Sequence, residues 1–138
     1  MAGSFKLIYG EDQRVSEYVK QRIPYAQHGF DRCVTIGVEQ DGVLIGGMVF
    51  FDWFSAWGNM YMAAAGEGNW LTRKLLRRWY AFAFLQMECN RVTVLMSDEN
   101  HPAINLVTRF GFRLEGIMRG EPNCLVFGIL KNEALKWA

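Results

Sequence analysis

Apolar positions along the chain recur with two periods, and the switches between them mark out seven strands and three helices. Phe5 to Tyr9 reads as a short strand. Gly10, Glu11 and Asp12 interrupt it, and acidic residues there suit a helix start. Val15, Tyr18, Val19, Arg22 and Ile23 follow helical spacing until Pro24 stops it. Residues 25–32 read as a loop or broken helix. Its Tyr25, His28 and Phe30 either touch a substrate or fold back over a core edge. Cys33 to Val38 and Val43 to Phe51 are β-rich runs joined near Asp41-Gly42, a strong hairpin signal. Gly46-Gly47 inside the second run predicts a bulge or the close approach of another backbone. An aromatic turn with Trp53, Phe54 and Trp57 leads to Met60–Ala65, a third consecutive antiparallel strand. The spacing of Leu71, Leu75, Trp79 and Phe82 predicts a helix from Trp70 to Met87. Its second half is apolar on nearly all sides, which suits burial against a sheet and also an oligomer surface, as in a homodimer. Val92 to Met96 is the next strand. A helix links it to Met60–Ala65, so those two strands are expected parallel. Pro102 fits the first turn of a short helix carrying Ile104, Leu106 and Val107, which Gly111 closes. Phe112 to Arg119 and Cys124 to Leu130 form a final antiparallel pair.

With no internal repeat or linker, residues 1–138 read as a single α/β domain with a mixed, mostly antiparallel sheet flanked by helices. Net charge is +1, so charge arguments have to be local, and the chain as a whole is not steered to nucleic acid or membrane. No apolar run reaches membrane-spanning length, and the start carries no apolar core of signal-peptide length. Cys33, Cys89 and Cys124 are scattered and lack a CxxC pair, and His28 and His101 are the only histidines. That argues against a structural metal and for free thiols in a reducing cytoplasm.

The local charge anomaly is at the start of the long helix. Arg73, Lys74, Arg77 and Arg78 crowd two turns where the helix dipole favours acidic residues, with Glu67 the only nearby answer. A strand, a glycine-bearing loop (Gly66, Gly68, Asn69) and this helix start together predict an anion site, with a solvated basic face as the plainer alternative.

The stretch Asn100 to Gly120, NHPAINLVTRFGFRLEGIMRG, is similar to a pattern of Asn, short helix, Gly-Phe and a strand with Glu-Gly and Arg. On that stretch and the order of elements the chain resembles the GNAT family of acyl-CoA N-acyltransferases. The ending CLVFGILKNEALKW resembles the branch of ribosomal-protein N-terminal acetyltransferases. The resemblance implies acetyl-CoA as co-substrate and an amine acceptor, either a protein N-terminus or a small molecule. It assigns the backbone of Met62, Ala63 and Ala64 to the pantetheine arm, and the loop of Gly68, Asn69, Trp70, Leu71 and Thr72 to the pyrophosphate. Glu67 stands where the family has Arg or Gln, and Trp70 and Thr72 stand at its glycines. Arg73 and Lys74 are placed to compensate. Asn100 is expected to contact the cofactor arm or cap its helix. The family's tyrosine acid falls at Val107, which cannot donate, so Ser97 is the nearest substitute hydroxyl, or else a turn serine. Glu115 is read as a general base or a strand-edge charge. The cysteines are expected to be core residues without catalytic part. Two other readings stay open: an idle CoA-binding or protein-interaction module, and a nucleic-acid binder acting through the basic helix start.

Overall fold

A computed structural model describes residues 4–23 and 29–138. In chain order the elements are β1 (Phe5–Tyr9), α1 (Asp12–Lys20), β2 (Cys33–Gln40), β3 (Val43–Phe54) and β4 (Asn59–Gly66). They continue with α2 (Arg73–Tyr80), a π-helical segment (Ala81–Gln86), β5 (Arg91–Ser97), α3 (His101–Phe110), β6 (Arg113–Met118), β7 (Cys124–Leu130) and a 3-10 helix (Lys131–Trp137). The strands form one sheet in the order β1-β2-β3-β4-β5-β7-β6. Every neighbouring pair is antiparallel except β4 with β5. The expected parallel pair and the expected fold class are both present.

Local chemistry accounts for most boundaries. Gln40 pairs with Val43 across a two-residue turn in which Asp41 and Gly42 both have positive φ, the geometry an Asp-Gly hairpin needs. Asp12 opens α1 and turns its carboxylate onto β2, accepting hydrogen bonds from the Thr35 amide and hydroxyl, both at 2.9 Å. Gly111 closes α3 in the left-handed region at φ 116°. The long helix departs from expectation. It starts at Arg73, not Trp70, because the Thr72 hydroxyl caps it by accepting from the Leu75 amide at 3.2 Å. After Tyr80 the spacing widens, with the Met87 amide reaching back to the Phe82 carbonyl at 2.9 Å. The wider turn keeps Phe82, Ala83 and Phe84 all buried, and only Leu85 of the apolar run is well exposed. Of the aromatic loop, Tyr25 and His28 lie outside the described residues.

Helices cover both faces of the sheet. On one, α1 lays Tyr18 and Val19 over Val49 of β3 and Ala63 of β4. On the other, α2, the π segment and α3 bury Leu75, Trp79, Phe84 and Phe110 against Met48, Met60, Val92 and Ile129. Trp79 is fully buried and meets Phe84 and Phe110 edge-on, at 5.5 and 4.6 Å between ring centres. The paired glycines mark a bulge, since the β2–β3 register skips Ile45 just before Gly46, and they mark close approaches by side chains rather than by backbone. A Cβ on Gly46 would overlap the Trp70 ring, and one on Gly47 would overlap Val15.

Candidate active site

Strands β4 and β5 pair over three residues each, Asn59–Tyr61 with Arg91–Thr93, and then part. A polar cluster holds the joined end. The Thr93 hydroxyl donates to Asn59 Oδ1 at 2.6 Å, and Arg91 Nε donates to the same oxygen at 3.2 Å. Arg91 also grips Glu115 with both terminal nitrogens, at 2.6 and 3.1 Å. The ion pair lies close over Gly128 of β7, where a Cβ would displace the ends of the Arg91 and Glu115 side chains. Beyond Tyr61 and Thr93 the gap becomes a slot of about 70 Å³. Met62, Ala63 and Ala64 form one wall and Val94, Leu95 and Met96 the other. Ile23, Asn100, Ala103, Leu106 and Val107 complete it. The strand edges that face each other here have no ladder partner across the gap. Backbone amides and carbonyls are obligatory hydrogen-bonding groups, so the slot suits an extended amide-bearing chain such as pantetheine.

From the slot wall β4 runs on to Gly66 and into the loop before α2. Among the described residues, the amides of Gly68, Asn69, Leu71, Arg73 and Lys74 donate to no protein acceptor. Arg73, Lys74 and Arg77 are exposed and take part in no ion pair there. Arg78 instead donates to the Tyr9 hydroxyl at 3.2 Å. Free amides, a helix start and unneutralised cations fit a pyrophosphate. Two residues assigned to that role do other work. The Trp70 ring is buried beneath Gly46 and Gly66, which moves its bulk away from the loop surface. Thr72 spends its hydroxyl on the cap and its amide on the Trp70 carbonyl at 3.1 Å. The answer to Glu67 comes from outside the long helix, because its Oε1 lies 3.8 Å from Arg22 Nη2. Arg22 is held by the Tyr18 carbonyl at 3.0 Å and stacks over the Tyr18 ring at 3.6 Å. Burial pushes the Tyr18 phenol up, and the Arg22 charge partly opposes that shift.

The remaining expected residues separate. Ser97 and Asn100 meet in a larger cavity of about 840 Å³ that shares Leu95, Met96 and Asn100 with the slot. Ser97 Oγ accepts from the Glu99 amide at 3.1 Å, so it is a turn serine whose own proton is left to donate. Asn100 both caps α3, accepting from Ala103 at 3.3 Å, and lines the slot. Glu115 is engaged by Arg91 over Gly128, whose ladder partner Thr93 stands four residues before Ser97 on β5, roughly 13 Å along the strand. It lines none of the cavities at the cleft. Val107 does line the slot, so the position expected for an acid carries no hydroxyl.

Cys124 was expected in the core. It lies instead opposite Ser97 in the β5–β7 ladder and lines the larger cavity. Cys89 is buried and Cys33 half-buried, and burial pushes both thiols up. Arg22, Ile23, Leu95 and Asn123 also reach the cleft, and nothing in the local sequence marks them. Leu95 is there as part of the β5 wall, and the others arrive because the chain after α1 and the β6–β7 turn close over the gap.

The comparisons agree with this geometry. The family model for the Acetyltransferase (GNAT) family matches residues 5–112. Among solved structures, a variant of the spermidine N-acetyltransferase SpeG from Vibrio cholerae is 14% identical with a TM-score of 0.72, covering 95% of this chain and 96% of that one. A second variant of the same enzyme is 16% identical with a TM-score of 0.73, covering 94% and 97%. At this identity the likeness is one of fold. No curated protein matches the chain. With a family match over most of its length and the parted strands of the fold in place, the chain belongs to the acetyltransferase (GNAT) family and is an N-acetyltransferase.

Proposed function

We propose that the protein transfers the acetyl group of acetyl-CoA to a primary amine of a small molecule, by direct attack and without a tyrosine acid. The observation that carries this reading is the parting of β4 and β5 beside a helix start with free amides and unpaired cations. Bound acetyl-CoA supplies an activated thioester carbonyl. The edges of Met62–Ala64 and Val94–Met96 hold its extended arm, and the amides of Gly68, Asn69 and Leu71 with Arg73 and Lys74 hold its phosphates. A strand amide in the slot donates to the carbonyl oxygen as charge develops there. The Ser97 hydroxyl proton and the Asn100 amide face the same cavity and orient the reacting groups. A thiolate is a tolerable leaving group, so Val107 in place of an acid slows the step without abolishing it.

The ending Cys124–Trp137, similar to ribosomal-protein N-terminal acetyltransferases, supports a second reading in which the acceptor is a peptide N-terminus. Calorimetric titration with acetyl-CoA, followed by thiol-release assays with small amines and with N-terminal peptides, tests both. Tight binding with turnover of small amines is expected. Turnover of peptides alone would transfer the assignment to the second reading. Binding with no turnover above the uncatalysed rate would leave an idle CoA-binding module.

A further inference from the structure

The cavity that the CoA assignment leaves unused measures about 690 Å³ and opens beside the slot, sharing Leu95 with it. Phe30 and Phe51 form its floor with Leu95, the two rings 5.1 Å apart between centres, and Tyr61 stacks behind Phe51 at 5.9 Å. Asp31, Asp52 and Arg32 line it as well. Asp52 adopts a left-handed backbone at φ 49°, where the β3–β4 register slips. Among the described residues neither aspartate is in an ion pair.

Carboxylates without an ion-pair partner attract a cation, and apolar ring surface beside them suits the methylene chain that carries it. The attacking nitrogen cannot be that cation. It needs its lone pair to form the new C–N bond as the C–S bond breaks; the thiolate leaves with the C–S electron pair and takes up, through water, the proton that the nitrogen sheds. A cation-selecting cavity next to the slot therefore serves a different nitrogen of the acceptor. We infer that the cavity over Phe30 and Phe51 holds the distal ammonium of a small diamine or polyamine, with Asp31 and Asp52 as specificity-determining residues. This rests on the acetyl transfer proposed above. Arg32 works against the site, and two carboxylates outweigh one guanidinium.

The test compares a straight-chain α,ω-diamine with the monoamine of the same length. Thiol release is followed in the wild type, in the double variant Asp31→Asn/Asp52→Asn and in Arg32→Gln, each first shown to be folded by circular dichroism. Wild type is expected to favour the diamine by about tenfold in kcat/KM, the sum of two exposed charge contacts. The double variant should bring that ratio close to one through a higher diamine KM, and Arg32→Gln should raise it. A wild-type preference for the monoamine, or a ratio unmoved by the double variant, overturns the inference while leaving acetyl transfer intact. If no amine is acetylated, the acetyl-transfer reading fails instead. The subsite is then read by titrating the diamine onto the CoA complex in a calorimeter. Heat lost in the double variant supports it, and no heat in the wild type overturns it.

Discussion

The same two strands end in opposite ways. At the joined end of β4 and β5, Asn59, Thr93, Arg91 and Glu115 satisfy one another, and Asn59 and Thr93 are buried. At the parted end the strand edges and the loop amides have no protein partner among the described residues. Stability is concentrated where polar groups are matched, and binding capacity where they are left unmatched. A buried polar group costs free energy unless it is paired. The protein therefore closes its polar network at the joined end and leaves the other end unmatched, where the arm and phosphates of acetyl-CoA are proposed to bind.

Breaking the joined end should have the largest effect. Asn59→Ala strips the acceptor from Thr93 Oγ1 and Arg91 Nε, and should lower stability by about 2–3 kcal/mol. In urea this appears as a lower midpoint at unchanged slope. Unaltered stability would mean that the network does not hold the joined end. At the parted end the prediction reverses. Arg73→Ala should weaken acetyl-CoA binding about tenfold and flatten its salt dependence, with stability changed by less than about 0.5 kcal/mol. Equal affinity in a folded variant would remove the phosphate site from the start of α2.

Subtler changes sharpen the contrast. Glu67 puts a carboxylate in the loop proposed to hold the phosphates, and Arg22 stands 3.8 Å away to offset it. Glu67→Gln should tighten acetyl-CoA binding about threefold, and Arg22→Ala should weaken it by a similar factor. The double variant should come out near wild type, and simple additivity of the two single effects at low salt is also satisfied by that result. The decisive reading is the sign of each single change, and a weaker Glu67→Gln complex would contradict it. The smallest effect concerns the thiols. Raised pKa values leave Cys33 and Cys89 with less thiolate at a given pH, so their alkylation should lag until the solution is more alkaline. Cys124 should react first and be protected by acetyl-CoA, because it lines the cleft. Mass mapping of labelled peptides would show this order, and labelling of Cys124 indifferent to acetyl-CoA would place it outside the bound region.

Seven strands, three helices and their order were legible from periodicity, turn residues and the Gly111 cap, all of which act within a few positions of the chain. The parallel β4–β5 pair was legible too, since a helical crossover allows little else. The helix start was misplaced at Trp70 because that residue has the right spacing, while its ring is claimed by Gly46 and Gly66 of neighbouring strands. The long helix ends at Met87 as expected, but its second half is π-helical. An unbroken apolar run fits α and π spacing equally well, and packing against the sheet selected the wider turn.

Around the site the division is similar. The slot wall at Met62–Ala64, the unpaired cations at Arg73 and Lys74 and the absent hydroxyl at Val107 follow from their places on elements that the pattern defined. Which charges meet does not. Glu115 is taken by Arg91, Glu67 by Arg22, and Cys124 is set beside Ser97. Each of these contacts joins residues far apart in the chain, and their distance depends on sheet register and on where α1 and the β6–β7 turn settle. By itself the sequence determined the elements, their order and the family. Only the tertiary structure decided where β4 and β5 separate and which side chains close over the gap, because hydrogen-bond pairing across a sheet is settled by partners that local sequence does not contain.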